Sequence, residues 1–217
     1  MYRLNTSNWL PGALLFVFLL LNTSVLFAQK TVESSEQSAG FSMATDESVA
    51  QPVVHYQQNI EMLSKVDDMP SLKVFGNGRV LVHYPVYMKK AGDYEMQLDE
   101  VELVDLIRTL SANGILDFDE EKVKQKKQVL EKAFKAKGQF YEISDAVETI
   151  IDIKLDEYQK NKASKKIKNF HKQFKWKNIE HDAVRYKHDS DITKANHSIG
   201  QLHGLMKDER LLKKGLR

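Results

Sequence analysis

The chain contains no cysteine among its 217 residues. That removes disulfides, thiolate metal sites and cysteine nucleophiles together, and with them a lipid-modified cysteine behind an export leader. Proline is scarce, at 4 residues. The longest purely apolar run, Ala13 to Leu21, has nine residues, well short of the roughly 20 that a membrane-spanning helix needs. No Gly-x-Ser-x-Gly elbow, phosphate loop, dinucleotide fingerprint or His-Glu-x-x-His pair occurs. The recognisable routes to acyl transfer, nucleotide binding and zinc hydrolysis are therefore missing. What remains is ordinary for a folded domain: 42% hydrophobic, 29% charged, 9% aromatic, too apolar for a disordered chain.

The first segment has a different character. Arg3 precedes the nine-residue run, Asn22-Thr23-Ser24 interrupts it, and Val25-Leu26-Phe27-Ala28 ends on a small residue. This is the layout of a secretory signal peptide over residues 1–28, and it predicts an exported protein, periplasmic or extracellular. An uncleaved anchor over residues 9–28 is the rival, at the cost of placing three polar residues in lipid. Residues 29–51, rich in Ser, Glu and Gln, read as a flexible tether. Residues 52–217 are left for a single domain, long enough to build a core without sulfur crosslinks.

Within that domain the pattern alternates between strand and helix periods. Residues 52–62 read as a weak first strand. Leu72 to Tyr84 is a β-hairpin around Gly76-Asn77-Gly78, with Asn77 and Gly78 expected in the positive-φ region of a tight turn. Residues 89–93 read as a loop. Asp99 followed by Glu102 caps a helix over residues 99–111 that Asn113-Gly114 ends. A surface helix follows at 119–137, with acids at its start and Gly138 after it. Residues 146–158 alternate apolar and polar as a strand with one wet face. Residues 165–176 read as a short strand followed by a turn, with an apolar spacing at Ile167, Phe170 and Phe174 that is ambiguous with helix, and residues 179–186 fit a short helix. Asp191 is expected to cap a last helix reaching Leu212, in which Gly200 and Gly204 would permit close backbone approach. The sum is α+β: an antiparallel sheet with a β-hairpin, packed by three to four helices.

The charge is unevenly spread. Net charge is +2, yet residues 161–217 hold 15 Lys/Arg against 6 Asp/Glu. Seven lysines fall between Lys162 and Lys177, interleaved with Phe170, Phe174 and Trp176. Lys165, Lys166, Lys168, Lys172, Lys175, Trp176 and Lys177 are the candidate polyanion-binding set, because lysines neutralise an anion while aromatics stack or pack at its surface. The plain alternative is a strand with core aromatics and solvated lysines. An exported chain points to an anionic envelope polymer or another envelope protein as partner, and not to nucleic acid. Five of seven histidines come late, His171, His181, His188, His197 and His203. None stands three or four from another, so no helical zinc pair forms and no cofactor is expected. A non-enzymatic binding module is the leading reading. A hydrolase site around Asp145, His181 or His188 is the second.

Three stretches carry a resemblance: Leu72 to Val80 with its Gly-Asn-Gly turn, Leu98 to Leu103 at the helix start, and Ile143 to Ala146 before the long strand. Together they resemble a group of uncharacterised exported bacterial proteins, over about residues 53–212. The resemblance implies a fold and a bacterial envelope location, and carries no reaction, cofactor or catalytic residue.

Overall fold

The structure is a computed structural model describing residues 39–44, 51–60, 69–141 and 143–215. The expected leader over 1–28 and most of the tether lie outside the described residues. All described residues belong to one compact unit, 36–217.

Among the described residues, eight strands form one open antiparallel sheet. β1 (Gly40–Ser42) and β2 (Val54–Ile60) lie end to end along one edge of β6 (Val147–Gln159), and β7 (Ile167–Lys177) runs along the other. From β2 the sheet continues through β3 (Ser71–Val74), β4 (Arg79–Tyr84) and β5 (Gly92–Gln97) to the short β8 (Leu212–Lys213). The described residues also form four helices: α1 (Glu100–Ala112), α2 (Glu120–Ala136), α3 (Ile179–Arg185) and α4 (Ser190–Met206). This is the expected α+β arrangement.

The period-two pattern decides which face of the sheet is dry. Register places Trp176 opposite Thr149, then Phe174, Ile151, Tyr56, Leu72, Val82 and Tyr94 in one cross-strand row. The neighbouring row holds Ile153, Val54, Val74, Val80 and Met96. Leu106, Ile107 and Leu110 of α1 and Ile192, Ile199 and Leu202 of α4 join these residues in one core. The opposite face is polar: Gln173, Asp152, His55 and Lys73 form one of its rows. A polar face of this kind is how an antiparallel sheet meets solvent.

Local chemistry explains the ends of the elements. Asp99 and Glu102 form the reciprocal capping box, with Glu102 N–H donating to Asp99 Oδ1 at 2.8 Å and Asp99 N–H to Glu102 Oε2 at 2.9 Å. Gly114, at φ 78°, closes α1 through Gly114 N–H to Ser111 O and Ile115 N–H to Leu110 O.

Several expectations are corrected. The hairpin turn uses three residues, with Gly78 N–H donating to Phe75 O and only Gly78 at positive φ; Asn77 keeps negative φ, since a type I turn followed by a left-handed glycine closes the pair. Gly92 and Asp93, expected in a loop, begin β5. Residues 40–42, assigned to the tether, form β1, and Tyr158 opposite Phe41 is fully buried. Asp189, not Asp191, caps α4, because its carboxylate accepts from both Asp191 and Ile192 N–H. Leu212 lies outside that helix, in β8. Gly200 and Gly204 face open space, with nothing within 4 Å of a β carbon built on either.

Candidate functional site

The ambiguous basic stretch is a strand. Its alternation turns Phe170, Phe174 and Trp176 inward and His171, Gln173, Lys175 and Lys177 outward. Trp176 is 4% exposed and donates its indole N–H to Asp182 Oδ2 at 2.7 Å; a ring spent on the core offers no stacking platform. Lys172 also points toward the helices and donates to Phe118 O at 2.6 Å. On the wet face Lys175 Nζ meets Glu148 Oε2 at 3.2 Å, and the Lys175 amide donates to Glu120 Oε1 at 2.9 Å. That contact screens part of the β7 edge. Lys177 is exposed at the far end of the strand.

The remaining lysines gather at the turn joining β6 to β7. Lys160, Lys162, Lys165, Lys166 and Lys168 occupy nine residues of chain, and all are exposed. Lys166 Nζ meets Glu157 Oε2 at 3.0 Å, which holds the Glu157 carboxyl below its usual range, and Lys160 Nζ approaches Asp117 Oδ2 at 3.6 Å. Lys162, Lys165 and Lys168 make no ion pair among the described residues. The strand path bends here. Asn169 is left-handed at φ 50°, the ladder skips the Asp156–Asn169 pair, and burial changes phase from Leu155 to Tyr158. Asn tolerates that conformation best among residues with a β carbon. A 290 Å³ depression lined by Lys154, Asp156, Asn169 and His171 adjoins the bend. Lys160 escapes a reading that starts at Lys162; only the hairpin pairing joins it to Lys168.

The histidines serve separate contacts. His171 Nε2 donates to Asp152 Oδ1 at 2.9 Å. His181 Nδ1 lies 3.1 Å from the Tyr141 hydroxyl. His188 and His197 are exposed, and Asp145 sits in an exposed bend before β6. None of Asp145, His181 and His188 lines that depression or the 270 Å³ one beside Ser71, Lys73 and His83. Among the described residues no three His or carboxylate side chains converge as metal ligands, and no helix is long and apolar enough to cross a membrane.

His203 is the half-buried exception among the late five. The fully buried Tyr56 donates its hydroxyl to His203 Nε2, joining β2 to α4, and Glu180 Oε1 lies 3.8 Å from Nδ1. Burial lowers the His203 pKa, with Lys207 adding to the effect and Glu180 opposing it; burial also raises that of Tyr56. His55 on β2 is lowered too, first by burial and then by Lys73. A folded-state pKa below the unfolded value near 6.5 means that the unfolded chain takes up more protons as pH falls through that value. Stability is full above it and declines below. The urea midpoint should therefore drop between about pH 7.5 and pH 5, and H55N/H203N should flatten that slope. A wild-type midpoint unchanged at the lower pH would refute the assignment.

Comparison with protein-family models, with curated proteins and with solved structures gave no match.

Proposed function

We propose that this protein is an exported, non-catalytic binding module that holds an anionic envelope polymer at the lysine-rich end of its β6–β7 hairpin. The observation that carries the reading is the gathering of Lys160, Lys162, Lys165, Lys166 and Lys168 at one hairpin end, where, among the described residues, only Lys160 and Lys166 have a carboxylate within 4 Å. The hairpin is a rigid support, since β6 and β7 pair over most of their length, so little order has to be acquired on binding. Export is supported by the composition of residues 1–28, and the polymer class by charge alone. Lys165, Lys166 and Lys168 of the expected set do the binding. Lys172, Lys175 and Trp176 hold the strand in place, and Lys177 lies at the opposite end of β7.

Dextran sulfate is a suitable probe. Binding should be measurable at about 50 mM salt and weaken steeply toward about 200 mM, as lysines displace counterions from the polymer. K162Q/K165Q/K168Q should lower the slope of log affinity against log salt by about two to three. K175Q should leave it nearly unchanged, because that ammonium already faces Glu148. Absence of binding at low salt, or a slope indifferent to the triple substitution, would rule the reading out.

A further inference from the structure

The tip between β4 and β5, at the other end of the sheet, has a different chemistry. Pro85 cannot extend the ladder, and Met88 N–H donates to Pro85 O at 2.9 Å, turning the chain sharply. This presents three consecutive apolar side chains outward: Val86 is 84% exposed, Tyr87 45% and Met88 37%. Three apolar neighbours in a row at the surface of a soluble fold cost solubility and call for a functional reason. Lys89 and Lys90 follow directly, both exposed.

More positive charge comes from the end of the chain. β8 pairs Lys213 with Tyr94, and Lys214 N–H donates to Asp93 O at 2.8 Å. The Lys213 side chain lies over Gly92, where a β carbon would meet its Cε at 3.1 Å. Four lysines thus surround the base of the tip. The carboxylate beside them, Asp93, is bound to His83 Nδ1 at 2.6 Å.

We infer that this tip is a membrane-surface anchor: Val86, Tyr87 and Met88 enter the headgroup region of an anionic bilayer while Lys89, Lys90, Lys213 and Lys214 face its phosphates. An apolar point ringed by flexible ammonium groups matches a lipid interface, where side chains with an apolar stem and a polar head settle at the boundary. The lysines match negative headgroups, each contributing through a field that salt screens. The hairpin turn holds the apolar residues ahead of the charges, so insertion requires no refolding. The register puts this tip beside Ser71 and Tyr84, and the β6–β7 turn beyond Val54 and Gln97, so the two basic surfaces are independent.

The test reads the tip itself. In the full chain, the indole introduced by Y87W should shift its emission to shorter wavelength with vesicles of phosphatidylcholine containing about one third phosphatidylglycerol, and should be quenched by brominated acyl chains. Parent protein supplies the background of Trp9 and Trp176. K89Q/K90Q should weaken the response about 30-fold, and V86S/M88S about tenfold or more, without changing the thermal midpoint. K162Q/K165Q/K168Q should leave it intact. An emission at position 87 indifferent to anionic vesicles overturns the inference, as does a response that survives both tip variants. Loss of protein binding without any lipid response would assign the tip to a protein partner instead, and would equally overturn it.

Discussion

Replacing Lys127 by methionine is expected to destabilise the fold by about 3–5 kcal/mol, although the residue stands on a surface helix. Lys127 Nζ meets Asp182 Oδ2 at 2.7 Å, and that same oxygen accepts the Trp176 indole N–H at 2.7 Å. Asp182 is 3% exposed. Its carboxylate is tolerable there only because a cation and a donor face it, and removing the cation leaves a buried charge with one neutral donor. The ammonium also lies 5.9 Å from the Trp176 ring centre and 5.8 Å from that of Tyr186, adding cation–π attraction. Three elements meet at this point: α2 supplies the lysine, β7 the indole and α3 the carboxylate. D182A should cost less, about 2–3 kcal/mol, since Lys127 remains partly exposed and can turn to water while the indole N–H is left without its acceptor. The double variant K127M/D182A should be more stable than the two losses added together. Urea titrations of the four proteins decide the matter. Additive losses, or a K127M shift below about 1 kcal/mol, would show that the contact is incidental.

Nothing in the sequence singles out Lys127 or Asp182, and the reason is general. The pair is 55 residues apart, and each partner looks like any solvated charge on an amphipathic helix until the chain closes around it. Local signals fared better. The Asp99 capping box, the hairpin glycine and the alternation of β6 are each complete within a few residues, so they survive in the structure close to where periodicity puts them. β5 was not legible because Gly92, Asp93, Glu95 and Gln97 dilute the apolar alternation to Tyr94 and Met96; neighbouring β4 and β8 make it a strand. Helix and strand could not be separated over residues 165–176, because Phe170 and Phe174 are four apart and satisfy both periods. Pairing with β6 resolves the choice, and with it the fate of Trp176 and Lys172. Of the candidate binding set, composition could reveal the charge. Only the hairpin geometry sorts lysines that hold the strand from lysines that face solvent.

The two ends of the sheet divide the surface chemistry between them. At the β6–β7 end Ile167, 49% exposed, is the one large apolar side chain exposed among the lysines of the described residues, a balance that suits a hydrated polymer. At the β4–β5 end they surround Val86, Tyr87 and Met88, which suits an interface. A salt titration separates the two: the first association should fall steeply with salt, whereas the second should retain the part carried by apolar burial.

Gly78→Ala is expected to cost about 3 kcal/mol or more, the second largest effect of a single substitution. The residue is left-handed at φ 84°, where a β carbon costs roughly 1–2 kcal/mol by itself. Space adds to that. A β carbon would stand 2.3 Å from Leu98 O and 2.7 Å from Gln97 Nε2. The amide of Gln97 can swing away, but the Leu98 carbonyl is main chain, and Leu98 N–H donates back to Gly78 O at 2.9 Å. Relief therefore requires pulling the end of β5 from the hairpin turn, and Leu98 directly precedes the Asp99 cap of α1. Gly138 isolates the conformational part: it is left-handed at φ 74° with nothing within 4 Å of a built β carbon. G138A should then lose only about 1 kcal/mol. If the close approach transmits to the helix start, D99A, worth about 1 kcal/mol alone, should cost measurably less in the G78A background. Equal urea midpoints for G78A and G138A would show that the turn yields without disturbing β5 or the helix cap.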